Sequence, residues 1–563
     1  MAFIHSLSIK NYRGIKEFYQ VFNTKTVVLI GRGDSGKSTI LNAIQAVLTP
    51  RWNFNFTDVD FYNCDTNNTI EIEAELIELP TELLCDDKFG LYLGILKADG
   101  AVSYDIEDDN SDNDIPLLCV KLIVNSDLEP KWYVRSKRFD QDEKEISGQD
   151  RALFNMFMIN DYVDNHFSYN RLSPLHRILW KSVEDRTQID TLLANVVRTA
   201  HTEAKKLTDL SLFDDSVAKI IAEAKTLGLE VSELKTLLEY KENAYTESNF
   251  SLHIGDVPYR QFGKGSKRLL SMAIQQTMIA DGGIVLIDEV EQGLEPDRVR
   301  HITRKLKEHK KGQVFYTTHS HDAILEPNAT DIYLMREGAQ NLFQLDNDLQ
   351  GVLRAKPDAF FAKKIIFCEG ATEVGIVRAF DQSNIQQGET PLALKGIVVV
   401  DAGGNNKFFD YAIRMTDAGY KCLVFCDDDN NAVYAMRDQV KSRGDITVVM
   451  CENGKAIEQQ LFSDLPDECI VDIVKYVVDN LPEKDVFSES GISSIDEYLN
   501  RTDEEKNHLR ILWSTRAKSK NGAWYKNIEN GEVLGKAWFK ALPSLTGTCL
   551  ENEYNAIIAW TKQ

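Results

Sequence analysis

The sequence has no long hydrophobic run and no closely paired cysteines. No stretch approaches the roughly 20 consecutive apolar residues that are needed to span a bilayer. The first ten residues alternate apolar and polar side chains, as in a strand, and lack the apolar run of a signal peptide. The nine cysteines are scattered without a CxxC pair, and Cys422 and Cys426 flank an apolar strand pattern, which favours core positions over zinc ligation. We therefore expect a cytoplasmic protein with reduced thiols and no membrane contact.

The sequence also has fewer basic than acidic residues. Lys and Arg number 64 against 87 Asp and Glu, which gives a net charge of −23 at pH 7. This balance counts against attraction of nucleic acid by the field of the whole protein, so any DNA contact must use a local basic surface. Carboxylates clustered to bind Mg²⁺ would contribute to the same negative balance. The length of 563 residues predicts two or three globular domains.

The most specific motif is a phosphate-binding loop. The segment Gly31–Ser38 matches GxxxxGK[ST], follows an apolar strand predicted over Thr26–Ile30 and precedes a helix predicted over Thr39–Leu48. Backbone amides of such a loop bind nucleotide phosphates, its lysine reaches the β- and γ-phosphates, and its serine binds Mg²⁺. The pattern predicts ATP as a cofactor. We assign nucleotide binding to Gly31, Gly33, Asp34, Ser35, Gly36, Lys37, Ser38 and Thr39.

Two later apolar strands end in residues that suit ATP hydrolysis. The first ends at Asp288, which would bind Mg²⁺, and at Glu289, which would act as a catalytic residue by polarising the attacking water. The second begins at Gln313 and is predicted to end in His319, which could contact the γ-phosphate. His321 is an alternative, and a histidine at a strand end is more often an ordinary polar residue.

Acidic residues follow several predicted strands of the second half. Strands over 363–368, 396–400 and 421–426 end at Glu369, Asp401 and Asp427, with helical patterns between them. Such a βαβ series is parallel and gathers these acids at the carboxyl edge of one sheet. Acidic residues also cluster by chance in the loops that follow strands. Several strands of one series that all end in an acidic residue nevertheless favour a functional site.

The spacing of these acids suits divalent metal ions. Glu369 and Glu373 are four residues apart across a strand–helix junction, and Asp427 and Asp429 are alternate residues leaving a strand, so each pair can face one site. Mg²⁺ prefers hard oxygen ligands, and two metals roughly 4 Å apart can clamp both oxygens of a phosphodiester displacement. Glu369 could act as a ligand or as a general base.

The first-half motifs resemble ABC-type ATPases of the SMC and RecF kind. The resemblance rests on Asn11–Gly14, the phosphate-binding loop, Asp288-Glu289, Gly293–Pro296 and Thr318–Ser320. In that family two heads sandwich ATP, and a signature loop of one head faces the nucleotide of the other. Here Gly263–Arg268 occupies the signature position and departs from the usual LSGGQ. Because the chain has one phosphate-binding loop, the resemblance implies a homodimer or homotetramer.

The segment Glu369-Gly370 followed by Asp427–Asp429 resembles the Toprim fold of topoisomerases, primases and nucleases. An ABC ATPase followed by Toprim is the arrangement of the overcoming-lysogenization-defect (OLD) nucleases, a family that includes the nuclease of the Gabija phage-defence system. The resemblance implies Glu369, Asp427, Asp429 and Lys520 as catalytic residues, with Lys518 as an alternative lysine. It implies metal ligation by Glu369, Glu373, Asp427, Asp429 and Glu458, with Asp428 as the neighbour most easily confused with them, and by Ser38 in the ATPase.

These observations predict an α/β protein with two parts. An ABC-type ATPase head is expected over 1–345, with a helical insertion at about 150–245, and a Toprim-type parallel-sheet domain with a helical C-terminal region over 346–563. Helical spacing with frequent charges over 188–240 indicates either a solvated subdomain or a dimerisation arm, and we favour the arm. The acidic stretch 105–114 is predicted to be a surface loop.

The resemblance implies an ATP-binding, Mg²⁺-dependent (or Mn²⁺-dependent) endonuclease of double-stranded DNA, regulated by its ATPase domain in anti-phage defence. A helicase or another defence-system protein is the implied partner. The alternatives are a DNA repair or recombination ATPase without nuclease activity, a primase, and a nucleotide-switched scaffold. A topoisomerase would need a separate catalytic tyrosine domain, for which the chain has no room.

The C-terminal region interleaves basic and aromatic residues. Two interpretations stay open: a phosphate-binding surface with base stacking, or aromatics that belong to a helical core. The residues concerned are Arg510, Trp513, Arg516, Lys518, Lys520, Trp524, Tyr525, Lys526, Lys536, Trp538 and Lys540.

Overall fold

The chain forms two compact units. One contains residues 1–27 and 38–317, and the other contains residues 28–37 and 318–563. The domain boundary expected at 345/346 stays a prediction. The computed structural model describes residues 2–104, 114–138, 141–160, 252–254, 256–279, 282–308, 311–336, 338, 340–403, 407–429, 434–484, 486–519 and 522–563, with a few single residues between 166 and 202. The helical insertion, the arm and the acidic loop predicted above lie almost entirely outside these residues, as does Lys520.

Most strands of the first 160 residues form one antiparallel sheet. Its order is β2-β1-β4-β7-β5-β6, and β8 pairs with both β7 and β9. Alternate residues of β4, namely Ile72, Ala74 and Leu76, are fully buried, as expected of a sheet with one covered face. The elements of this segment are β1 (Phe3–Tyr12), β2 (Ile15–Val21), β3 (Thr26–Ile30), α1 (Lys37–Leu48), β4 (Ile70–Ile77), β5 (Gly94–Leu96), β6 (Val102–Ser103), β7 (Ile115–Val124), β8 (Pro130–Arg135), β9 (Lys144–Glu145), α2 (Gly148–Ala152) and β10 (Met156–Ile159).

Parallel strands complete the first unit. Strands β10, β13 and β14 run parallel and in order, so β13 and β14 end at the same edge. The buried side chain of Gln313 in β14 accepts a hydrogen bond from the Ile4 N–H (2.8 Å) and donates to the Ile4 oxygen (3.2 Å), which joins β14 to β1. The elements after the insertion are β11 (His253–Ile254), β12 (Val257–Pro258), α3 (Lys264–Ile279), β13 (Ile284–Ile287), α4 (Pro296–Lys307) and β14 (Gln313–Thr317).

The second unit contains a separate four-stranded parallel sheet of order β18-β17-β19-β20. In the same unit, the end of β3 pairs in parallel with β15, which pairs antiparallel with β16. The elements are α5 (His321–Ile324), β15 (Ile332–Leu334), β16 (Phe343–Gln344), α6 (Gln350–Ala355), β17 (Lys364–Cys368), α7 (Ala371–Gln386), β18 (Ile397–Asp401), α8 (Phe408–Asp417), β19 (Lys421–Cys426), α9 (Tyr434–Arg443) and β20 (Ile446–Met450).

Helices of the C-terminal region pack with this sheet in one apolar core. Trp513, Trp524, Tyr525 and Trp538 are at most 1% exposed and belong to that core. Of the two interpretations of these aromatics, the core is therefore correct, and stacking of bases on them is wrong. Every described helix is too short or too polar to cross a bilayer. The helices here are α10 (Ile457–Asp464), α11 (Asp467–Asn480), α12 (Ile495–Leu499), α13 (Asp503–Lys518), α14 (Ile528–Ala541) and α15 (Cys549–Lys562).

Candidate functional sites

The phosphate-binding loop connects the buried end of β3 to α1. The Lys37 ammonium donates to the carbonyl oxygens of Gly31 (3.0 Å) and Arg32 (2.7 Å). These carbonyls hold the ammonium across the loop, where phosphate oxygens can replace them as partners. Among the other residues predicted to bind nucleotide here, Ser35 is buried, Gly36 and Thr39 are half-buried, and Gly33, Asp34 and Ser38 are exposed.

Asp288 is tied to two hydroxyls in the first unit. Its carboxylate accepts hydrogen bonds from the Ser38 hydroxyl (2.9 Å) and the Thr317 hydroxyl (2.6 Å). Thr317 also accepts a hydrogen bond from the Glu289 N–H at 2.7 Å, while the Glu289 side chain is exposed at a backbone φ of 49°. The structure thus brings together Ser38 and Asp288, the two predicted Mg²⁺ ligands of the ATPase. The role of Thr317 was not predicted, because the strand pattern does not show where its hydroxyl points.

Replacing Thr317 with valine is expected to lower the ATP turnover rate about tenfold, the effect of one lost hydrogen bond to a charged group. The hydroxyl fixes both the Asp288 carboxylate and the Glu289 backbone. Steady-state phosphate release measures the rate, and Thr303→Val is the matched control, because this buried hydroxyl bonds only to carbonyls of its own helix. Equal turnover in the Thr317→Val protein and the wild type would contradict this role.

Arg268 holds the turn that carries Glu289. Helix α3 begins at Lys264, so the signature-position residues form its first turns. The guanidinium of Arg268, only 3% exposed, donates to the carbonyl oxygens of Asp288 and Glu289 and to the Gln292 side chain (2.7 Å). This basic side chain therefore links the signature-position helix directly to the turn that contains Asp288 and Glu289.

The two histidines after β14 differ in their surroundings. His319 is exposed in the second unit. His321 lies 2.8 Å from the Asp358 carboxylate, and its ring is 5.3 Å from that of Phe361. His321 is therefore engaged within the second unit, and contact of His319 with the γ-phosphate stays a prediction.

Glu369 and Asp427 leave the same edge of the four-stranded sheet. Strands β17 and β19 are parallel neighbours, so the residues that follow them lie side by side. The Asp427 N–H donates to the Glu369 carboxylate at 3.1 Å, and the Asp427 carboxylate accepts from the Ile457 N–H at 2.7 Å. These backbone donors fix both carboxylates at the sheet edge.

Glu373 and Glu458 join this edge from the first turns of α7 and α10. Glu373 is 4% exposed and accepts a hydrogen bond from the Gly370 N–H at 2.9 Å. Glu458 is fully buried, with one oxygen 2.7 Å from the Lys526 ammonium. Its other oxygen has no hydrogen-bond partner among the described residues. We call Glu369, Glu373, Asp427 and Glu458 the acid cluster.

Burial and mutual repulsion disfavour the charged forms of the acid cluster. Burial, together with Glu458 and Glu369, raises the pKa of Glu373 to about 8. Burial and the neighbouring carboxylates raise the pKa of Asp427 well above its usual range, and burial also raises that of Glu369. Although burial opposes its charge, Glu458 raises the pKa of Lys526. One ammonium does not balance four carboxylates, so the cluster favours a further cation.

Carboxylate oxygens are the donors that Mg²⁺ and Mn²⁺ prefer. Among the described residues, no three His, Cys, Asp or Glu side chains converge on one point as a metal site requires. The partnerless oxygen of Glu458 and the raised pKa values nevertheless indicate a missing positive charge. The acid cluster therefore fits a divalent metal in chemistry, and rotation of its side chains would be needed to bring the oxygens together.

Asp428 and Asp429 have different partners. Asp428 pairs with Arg437 at 3.1 Å and accepts a hydrogen bond from the Gly454 N–H at 2.9 Å. Asp429 lies 2.8 Å from the Lys518 ammonium. Lys518 thus reaches the acidic edge, whereas Lys520 lies outside the described residues. Lys526 was not predicted for this site, because only the packing of the C-terminal helices brings it to Glu458.

The metal-free chain is expected to become more stable as the pH falls from about 8 to about 5. Burial raises the pKa of Glu373 in the folded state to about 8, from the ordinary value of 4.5 that applies in the unfolded chain. The folded state therefore binds more protons between these values, and stability falls as the pH rises through them. Melting temperatures in EDTA measure this effect. Glu373→Gln should flatten the profile, and a melting temperature that rises with pH would contradict the expectation.

A second buried carboxyl provides the control for this profile. Glu553 also has a pKa raised to about 8 by burial, and it contacts Cys549 instead of the acid cluster. Glu553→Gln should therefore remove a comparable share of the pH dependence. Saturating Mn²⁺ should diminish the effect of Glu373→Gln and leave that of Glu553→Gln unchanged, since only the former residue belongs to the acid cluster.

Comparison with known proteins agrees with this organisation. A family profile described as an AAA domain, putative AbiEii toxin, type IV toxin–antitoxin system, matches residues 27–326, more than half of the chain. A profile described as the Toprim domain of overcoming-lysogenization-defect-like proteins matches residues 360–429. The chain therefore joins an AAA-type ATPase domain to a Toprim domain. The chain belongs to this AAA-domain family, and its second half contains a Toprim domain similar to that of overcoming-lysogenization-defect-like proteins.

Similar solved structures include two ATPases. The Smc head domain of Pyrococcus furiosus, bound to the C-terminal domain of ScpA, is 15% identical over 63% of this chain and 98% of that chain, with a TM-score of 0.34. RecF with ATP is 13% identical over 61% of this chain and 98% of that chain, with a TM-score of 0.32. No curated protein matches the chain. The predicted fold class is confirmed, and the chain combines an ATP-binding ATPase domain with a nuclease-like Toprim domain.

Proposed function

We propose that this protein is a Mg²⁺-dependent or Mn²⁺-dependent endonuclease of double-stranded DNA. The acid cluster carries the proposal, because four carboxylates share one buried sheet edge with Lys526 as the cation paired to Glu458. Such a group is costly to bury without a function that uses its charge. The Toprim match supports hydrolysis of a phosphodiester at this edge.

Different residues of the chain would have different roles in this hydrolysis. A bound divalent ion polarises the phosphodiester and activates water. Glu369, Glu373, Asp427, Asp429 and Glu458 would hold it, with the Asp427 N–H orienting Glu369. In addition, Lys518 beside Asp429 would contact the scissile phosphate, a role for which Lys520 stays the other candidate.

Nicking of supercoiled plasmid is expected with Mg²⁺ or Mn²⁺ and is expected to be lost in EDTA. Agarose electrophoresis measures the open-circular and linear products over time. Ca²⁺ is the control, because it binds carboxylates but supports such chemistry poorly. Cleavage that persists in EDTA would contradict a metal-dependent mechanism.

The ATPase half would regulate cutting as a dimer. Each chain supplies one phosphate-binding loop, so a sandwich of two nucleotides needs two copies, as a homodimer or within a homotetramer. We further propose a role in anti-phage defence, with a helicase or another defence-system protein as partner. Light scattering with and without ATP tests the oligomer, and phage plating on cells that express the chain tests the role.

One observation favours a second candidate. The acids do not converge to metal-binding geometry among the described residues. A DNA repair or recombination ATPase, or a nucleotide-switched scaffold, would need no such convergence. Binding of DNA without nicks under every metal and nucleotide condition would select this candidate over the nuclease.

A further inference from the structure

A cavity of about 260 Å³ lies beside the phosphate-binding loop, and all of its lining residues belong to the second unit. One wall is formed by four residues of the loop, Gly31, Arg32, Gly33 and Ser35. The others are the end of β15 with Arg336, the segment Phe360–Lys363 before β17, and the Gly419-Tyr420 turn before β19. The cavity is separate from the acid cluster, which lies at the opposite, carboxyl ends of β17 and β19.

The charge of this cavity has one sign. Arg32, Arg336 and Lys363 line it, and no acidic side chain lines it among the residues that the structure describes. The chain as a whole has a net charge of −23, so three basic side chains around one small cavity give this place a charge opposite to that of the whole protein. Like charges held close together repel, and an anion between them would remove that repulsion.

Two glycines with positive φ make room for the arginines. At Gly419 (φ 82°), a Cβ atom would lie 2.6 Å from the Arg336 guanidinium, so only glycine permits this approach. At Gly396 (φ 72°), a Cβ atom would overlap the Arg32 guanidinium and lie 3.1 Å from the Lys363 Cγ. Arg32 and Lys363 therefore converge on the same point of the backbone.

Contacts with aromatic rings and the backbone orient Arg336. Its guanidinium donates to the Ala418 oxygen and lies 5.3 Å from the Phe343 ring centre and 5.8 Å from that of Tyr420. The Tyr420 hydroxyl donates to the Phe360 oxygen at 2.9 Å, which fixes the neighbouring wall. A preoriented guanidinium binds a phosphate with little further loss of entropy.

One aromatic ring that lines the cavity, that of Phe361, is partly exposed. Phe360 and Tyr420 are buried, whereas Phe361 is half-buried, and one side of it contacts the ring of His321. Nucleic-acid bases stack favourably on such rings. Cavities for small ligands begin at about 300 Å³, so this volume suits a phosphate and a ribose with the base at the mouth.

We propose that this cavity binds a free mononucleotide, with its phosphate between Arg32, Arg336 and Lys363 and its base against Phe361. This would be a second nucleotide site in the chain: it shares Gly31, Gly33 and Ser35 with the loop assigned to ATP, but Lys37 does not line it. It would sense nucleotide independently of ATP hydrolysis, and it does not depend on nuclease activity.

Calorimetry with AMP and with inorganic phosphate on the Lys37→Ala protein tests the proposal, because Lys37→Ala weakens binding at the first site. One AMP per chain is expected. Arg336→Gln in this background should weaken AMP and phosphate at least tenfold, and Phe361→Ala should weaken AMP but not phosphate. Arg443→Gln is the matched control, since this arginine pairs with Asp417 and Asp445 away from the cavity.

Three results would overturn the proposal. The first is absence of AMP binding to the Lys37→Ala protein. The second is unchanged affinity in both the Arg336→Gln and the Phe361→Ala proteins. The third is phosphate binding as tight as that of AMP without an effect of Phe361→Ala, which would leave an anion site but no nucleotide site. Melting temperatures identify any variant that does not fold, and the other variant then decides.

Discussion

The Asp427→Asn protein is expected to nick plasmid on the order of 10³-fold more slowly than the wild type. Asp427 stands at the centre of the acid cluster, where its carboxylate is held by the Ile457 N–H and its own N–H orients Glu369. Asparagine keeps the size of the side chain and removes the charge that a divalent ion needs. Initial rates of nicking in Mg²⁺ measure the effect.

The neighbouring aspartate provides a matched control. Asp428 is paired with Arg437 and bonded to the Gly454 N–H, so Asp428→Asn should change the rate by no more than a few-fold. Equal loss in both variants would indicate damage to the loop instead of loss of a ligand. In EDTA, Asp427→Asn should melt at a higher temperature than the wild type, because it removes a buried charge that its neighbours repel.

The Glu289→Gln protein is expected to hydrolyse ATP 10²- to 10⁴-fold more slowly, roughly the contribution of a positioned general base. Glu289 follows Asp288 on a turn whose backbone is hydrogen-bonded to the side chains of Thr317 and Arg268. Its backbone is therefore fixed, while its carboxylate is exposed. ATP affinity should stay within a few-fold, because no phosphate contact is removed. Phosphate release and equilibrium binding separate the two effects.

Two further variants complete this comparison. Glu308→Gln is the control, since this exposed glutamate at the end of α4 pairs with Lys305. Lys37→Ala should instead lose affinity for ATP, because it removes the ammonium that the phosphates use. Full turnover in the Glu289→Gln protein would contradict its assignment as the residue that polarises water.

The sequence predicted the strands that carry the sites because their patterns are local. Strands β3 and β19 have the predicted bounds, since each is a short buried apolar run that ends in polar residues. Strand β14 begins at the predicted Gln313 but ends at Thr317, before the predicted end at His319. The end of the helix after Glu369 is harder to predict, because its last turns, up to Gln386, are polar and lack an apolar pattern. Parallel pairing then brought Glu369 and Asp427 to one edge, as the βαβ order implied.

Side-chain partners could not be predicted in the same way. Lys526 reaches Glu458 only because α14 and α10 pack onto one sheet from distant parts of the chain. The same holds for Arg268, whose three acceptors lie 20 to 24 residues away in the sequence. The C-terminal aromatics were ambiguous because buried and exposed tryptophans have the same spacing in sequence. Such contacts depend on tertiary packing, which local sequence patterns do not predict.

Binding of Mn²⁺ in the absence of nucleotide is the most direct test of the acid cluster as a metal site. Electron paramagnetic resonance distinguishes bound from free Mn²⁺, and it does not require that any DNA be cut. The wild type should bind Mn²⁺, and the Glu373→Gln/Asp427→Asn double variant should lose that binding while Asp428→Asn keeps it. Equal binding by the wild type and the double variant, or none by the wild type, would contradict the account.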